Sequence, residues 1–115
     1  VTTPAQTLRA AAQTLRNLAT AADAINPSPW EPRRTHPTIP DSDFYRLWAA
    51  DRTPLLHGGR PFVLGPIAQY TAAMHPGVGL ALAEWLDSAA EDAEMVGPDH
   101  HALATARAIL GEVTE

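Results

Sequence analysis

Five prolines between residues 26 and 42, namely Pro27, Pro29, Pro32, Pro37 and Pro40, cut the chain in two. Proline has no backbone donor and its ring clashes with the preceding helical turn. No helix interior or central strand can therefore run through this stretch. The residue before a proline is also held out of helical geometry, so a helix arriving from the N-terminus must stop by Asn26. Trp30 sits in the middle of the stretch. Its indole offers a large apolar area that a solvated linker would leave in water, so residues 26–42 read as an ordered, extended strap pinned to the core.

The segment before the strap has the spacing of a helix. Leu8, Ala11, Leu15, Leu18, Ala22 and Ile25 recur at steps of three and four, which places them on one stripe. Thr3 is a candidate N-cap, and Pro4 suits the first helical position. Alanines within the stripe permit close approach of a second helix.

Beyond the strap, Asp41 or Ser42 could cap a short helix starting near Asp43, with Phe44, Leu47 and Trp48 as an i, i+3, i+4 apolar patch and Pro54 as its stop. The runs Leu55-Leu56 and Phe62-Val63-Leu64 flank a His57-Gly58-Gly59-Arg60 turn signal and admit a short β-hairpin. Pro61 would confine its second strand to an edge. Pro66 opens a further helix with Ile67, Tyr70, Thr71 and Met74 along one face, and Pro76 interrupts it. A long helix then carries Val78, Leu82, Trp85, Leu86, Ala89 and Ala93 as its stripe, with Glu84, Asp87, Glu91, Asp92 and Glu94 largely off it. Gly97 stops it and Pro98 starts the last helix, whose inward side is Leu103, Ala106, Leu110 and Val113 with Ile109 beside them, and Gly111 marks its end.

The expected fold is mainly α. It is a single domain over 1–115, a small bundle of four to five helices with a Pro-rich extended connection and room for one hairpin. Its parts are a first helix over 1–25, the strap over 26–42, a short helix and hairpin over 43–64, and a helical C-terminal half over 65–113.

Composition removes whole classes of chemistry. The chain has 115 residues and no cysteine, so disulfides, thiolate catalysis and cysteine-ligated zinc are out. No run approaches the ~18 apolar residues of a membrane span. The N-terminus has no basic patch leading into an apolar run, so a cytoplasmic protein is expected. The net charge of −5 argues against a surface that tracks phosphates, and it is unevenly spread. Residues 1–60 hold seven arginines against five carboxylates, whereas residues 61–115 hold Arg107 against eight. Lysine is absent, which suits a GC-rich coding sequence.

No catalytic set emerges. There is no Gly-x-Ser-x-Gly elbow, no phosphate-binding glycine loop and no pair of histidines four apart around a glutamate. No catalytic residue, metal site or cofactor is expected. His100 and His101 are adjacent and diverge by about 100° on a helix, so they read as an exposed first turn. His75 precedes Pro76 at a helix junction, where its imidazole could cap the next helix. With Tyr70 and Trp85 it is also the candidate small-ligand or metal-binding centre. Glu84, Asp87, Glu91 and Asp92 are the candidate partner surface. Arg9, Arg16, Arg33 and Arg34 are candidate phosphate or nucleic-acid contacts, a reading the net charge opposes.

Residues 70–87, Tyr-Thr-Ala-Ala-Met-His-Pro-Gly-Val-Gly-Leu-Ala-Leu-Ala-Glu-Trp-Leu-Asp, resemble a group of small proteins of Streptomyces and of Streptomyces phages and integrated elements. The shared features are an N-terminal helix, a Pro-x-Pro-Trp break (Pro27 to Trp30 here), the Tyr-x-Ala-x-Met-His-Pro core and a closing Ala-rich helix (His101 to Leu110 here). Residues 31–64 depart most from the group. The resemblance implies a bacterial or phage accessory origin and supplies no mechanism. The expected role is a non-enzymatic interaction protein. It binds a protein partner or itself, in the simplest case through the first-helix stripe, and no membrane.

Overall fold

The computed structural model of the chain describes residues 2–34, 44–55 and 63–112. Its elements are helix α1 (Pro4–Ile25), strands β1 (Glu31–Arg34), β2 (Phe44–Trp48) and β3 (Val63–Leu64), and helices α2 (Gly65–Ala73), α3 (Pro76–Val96) and α4 (His100–Ile109). The protein is mainly α, with four helices and a small antiparallel sheet among the described residues. No described helix is long and apolar enough to cross a membrane. Contacts group the chain into two compact units, one of Val1–Thr20 and Gly79–Glu115, the other of Ala21–Val78.

The first unit is built from α1, α3 and α4. Its start follows local chemistry: the Thr3 hydroxyl accepts from the Gln6 N–H and the Gln6 side chain accepts from the Thr3 N–H, a reciprocal capping box. The core gathers Leu8, Leu86 and Leu103 among alanines from all three helices. Small side chains let helix backbones approach closely, and the stripe of α1 rotates accordingly. Ala5, Leu8, Ala11, Ala12 and Ala19 are buried, while Leu18 and Ile25, expected in the stripe, are exposed. A Cβ on Gly79 would come within 3.1 Å of the Ala19 Cβ, which shows how tightly α1 and α3 pack there. Gly97 and Gly111 end α3 and α4 at positive φ, as their positions predict, and the Asp99 carboxylate caps α4 by accepting from His101 N–H.

The second unit corrects the reading of residues 43–64. Residues 44–48 form the central strand β2, not a short helix. Phe44, Tyr45 and Trp48 are strand-favouring aromatics, and a five-residue segment pays for helix nucleation with little propagation. Paired neighbours decide the outcome. Glu31 to Arg34 run antiparallel to Trp48 to Tyr45, and Val63 and Leu64 pair with Tyr45 and Phe44. Most of the expected hairpin, residues 56–62, lies outside the described residues. Of its flanks, Leu55 donates its N–H to the Leu47 carbonyl at 2.9 Å, next to the bridge between Pro54 and Trp48, and Val63 and Leu64 pair with β2. The turn at His57 to Arg60 and the caps Asp41 and Ser42 lie outside the described residues.

Pro32 sits in β1, an edge strand, where its missing donor costs no ladder bond. Trp30 anchors the described part of the Pro-rich segment, residues 26–34. Its indole N–H donates to the Asn26 carbonyl at 2.8 Å, and its ring packs against the cluster of Leu47, Ala68 and Ala72. This cluster is where α2 covers one face of the sheet.

Candidate functional site

The sheet has two unlike faces. Side chains alternate along a strand, and the register sets Pro32 and Arg34 with Leu47 and Tyr45 on one face, Glu31 and Arg33 with Trp48 and Arg46 on the other. The first face carries Leu47 into the α2 cluster. The second is charged and borders a hollow of about 530 Å³ lined by Pro29, Glu31, Arg33, Trp48 and Arg52 among others. The Ser28–Pro29 peptide at its rim is cis. Arg33 pairs with Glu31 at 3.1 Å, and the Arg46 guanidinium lies 5.6 Å from the centre of the Trp48 ring.

The far rim of the hollow is the turn that leaves β2. Ala49 and Thr53 hydrogen-bond across it, and Asp51 accepts from both the N–H and the hydroxyl of Thr53. Those two bonds hold the Asp51 carboxyl below its ordinary value. Arg52 lies between them at φ 67°, a left-handed conformation in which a side chain with a Cβ is strained.

His75 serves as the N-cap of α3. Its Nδ1 accepts from the Gly77 N–H at 3.1 Å, with Pro76 in the first helical position. A Cβ on Gly77 would lie 2.8 Å from His75 Cε1, so the cap needs glycine there. Asp23 and Ser28, which sequence reasoning passed over, complete this junction. The Asp23 carboxylate accepts from the Ser28 hydroxyl and N–H, both at 2.7 Å. These bonds, with a smaller contribution from His75, lower its pKa. Serine, aspartate and histidine are the residue types of a hydrolytic triad, but the wiring differs. The serine hydroxyl donates to the aspartate, and the histidine nitrogen accepts from a backbone amide, so neither polarises the other.

The other candidate residues are distributed over the two units. Tyr70 is exposed on α2 in the second unit, with His75, while Trp85 belongs to the first. Trp85 borders a hollow of about 320 Å³ with Asp92 and Asp99, and Tyr70 and His75 line neither hollow. Among the described residues no group of three His, Asp or Glu side chains is placed to hold a metal.

The acidic and basic surfaces meet within the first unit. Arg16 pairs with Asp87 at 2.5 Å and Arg9 pairs with Glu94. Both partners are one heptad apart on each helix, so antiparallel α1 and α3 bring them together in register. The hydrogen bond between them raises Arg9 and lowers Glu94 from their ordinary values. Glu84, Glu91 and Asp92 are exposed on α3. Arg34 donates to the Tyr45 hydroxyl at 3.1 Å, so all four candidate phosphate-binding arginines have internal acceptors.

α2 inverts the usual arrangement of a surface helix. Gly65, Ala68 and Ala72 face the core, while Ile67 (54% exposed), Tyr70 (72%) and Met74 (46%), just past its end, form an outward apolar strip. The sequence carries a signal for this strip that residue periodicity alone does not weigh. No Asp, Glu, Lys or Arg occurs from Pro61 to Ala83.

Comparison of the chain with family models, with curated proteins and with solved structures returns no match.

Proposed function

We propose that the chain is a non-enzymatic interaction protein and that α2 is its contact helix. One observation carries this reading: α2 buries its small side chains and presents Ile67, Tyr70 and Met74 to solvent on a helix without a charge. Uncharged strips of tyrosine, methionine and isoleucine have the composition of interface cores. The occupant is a second copy of the chain. A two-fold contact sets a surface against itself, and α2 is a surface that does so without facing like charges. The acidic face of α3 would repel its own copy. On the resemblance of residues 70–87, we place the protein in a bacterial or phage accessory system, acting in the cytoplasm.

The test is light scattering over a concentration series, with the wild type beside Tyr70→Glu. The expected result is a mass that rises with concentration in the wild type and stays monomeric in the variant. A strict monomer at every concentration, or a variant that associates as strongly as the wild type, overturns the reading.

A further inference from the structure

We propose that the hollow on the charged face of the sheet binds a small organic anion, a planar ring bearing one phosphate or carboxylate group. The ring rests on Trp48 and Pro29, and the anionic group meets Arg52. This goes beyond the α2 contact and uses the opposite face of the sheet, so either proposal can fail alone.

Three observations converge on this ligand class. The first is the cationic character of this face. Arg33 and Arg46 are direct cross-strand neighbours, with Glu31 paired to Arg33 and the Arg46 guanidinium over the Trp48 ring. Across residues 21–78 five arginines balance five carboxylates, whereas the other unit holds three against eight. The charge of −5 thus lies outside the unit that carries the hollow.

The second is Arg52. It occupies a left-handed turn position where glycine or asparagine would be unstrained. Its neighbour Asp51 is engaged by Thr53, and Arg52 has no ion pair or side-chain hydrogen bond among the described residues. A strained arginine with an unoccupied guanidinium at the rim of a hollow points to a ligand as its partner.

The third is size and shape. About 530 Å³ holds one ring system and one anionic group, not a strand of nucleic acid. The half-buried indole of Trp48 and the Pro29 ring supply flat apolar walls, and guanidinium groups bind phosphate and carboxylate through paired N–H donors.

The test is a titration of the ¹⁵N-labelled protein followed through its three indole N–H signals, with Trp48 assigned by Trp48→Phe. The probes are adenosine 5′-monophosphate, benzoate, adenosine and inorganic phosphate. Adenosine 5′-monophosphate or benzoate should shift the Trp48 signal and leave Trp85 in place. Adenosine and phosphate alone should bind at least ~10-fold more weakly, since each lacks one half of the contact. Arg52→Gly suits the backbone and removes the guanidinium, so it should fold at least as well and weaken binding by roughly 10-fold. Should that variant not fold, Arg52→Asn, which also suits a left-handed position, replaces it with the same readout. A response to adenosine 5′-monophosphate alone identifies a phosphate ligand, and a response to benzoate alone a carboxylate. No Trp48 shift with either anion, or equal affinity after a folded Arg52→Gly substitution, overturns the proposal.

Discussion

The two units of the chain use the same few residue types to opposite ends. In the helical unit the large apolar residues Leu8, Leu86 and Leu103 are inside, and the arginines of α1 meet the carboxylates of α3. In the sheet unit the buried cluster is small, centred on Leu47, Ala68 and Ala72, while Ile67 and Tyr70 face water and Arg52 faces a hollow. Both units leave large apolar residues in water, Leu18, Met95 and Val96 in the first and Ile67 and Tyr70 in the second, but the second does so on an uncharged helix and leaves Arg52 without an ion pair among the described residues. Groups left unsatisfied by their own fold are the ones available to something else. That difference directs both proposals to residues 21–78.

Truncation of apolar side chains tests this contrast most strongly. Leu86 is fully buried in an alanine-lined core that cannot collapse around a void. Leu86→Ala should cost about 3 kcal/mol in urea unfolding. Ile67→Ala, although it deletes a similar side chain, should stay within about 0.5 kcal/mol because the residue is already in water. Comparable losses at the two positions would mean that α2 is covered at home, and the contact-helix reading would fall.

The helix junction is an intermediate case, since it joins a structural role to a residue type associated with chemistry. His75→Ala should cost about 1 kcal/mol, the usual value of an N-cap. Serine also accepts from the second or third amide of a helix, so His75→Ser should recover most of that loss. Loss without recovery by serine would give the imidazole a task beyond capping.

How far the sequence revealed this contrast depended on the range of the forces involved. Thr3 with Gln6, Asn26 before Pro27, and the glycines at 97 and 111 act within a turn of where they stand, and each places a helix end correctly. The strand at 44–48 was not legible, because its pairing is with residues 31–34 and 63–64 and its i, i+3, i+4 spacing also suits a helix. The ion pairs were legible in principle. Arg9 and Arg16 share the seven-residue spacing of Asp87 and Glu94, but assigning them as partners requires knowing that α1 and α3 are antiparallel neighbours. The hollow was hidden most completely. Its strained turn carries arginine where a left-handed position favours glycine or asparagine, so no local signal marks it.

The smallest expected effect separates the units by how each holds its carboxylates. Asp23 and Asp51 lie below their ordinary values because the neutral donors of Ser28 and Thr53 bind their charged forms. Glu94 is lowered by Arg9. A carboxyl lowered by folding stabilises the folded state above its unfolded value, and that contribution disappears as pH falls through the folded one. Stability should therefore drop on acidification below about pH 4, near the ordinary carboxylate range. Salt distinguishes the sources, because it screens the exposed Arg9–Glu94 attraction and leaves short hydrogen bonds to neutral donors largely intact. In melting curves, the difference between wild type and Ser28→Ala should be present near neutral pH, shrink on acidification, and persist at high salt. The corresponding difference for Arg9→Gln should shrink in salt as well as in acid. If the Ser28→Ala difference also vanishes in salt, then Asp23 is held by charge rather than by its hydrogen bonds, and the two units are less distinct than their geometry indicates.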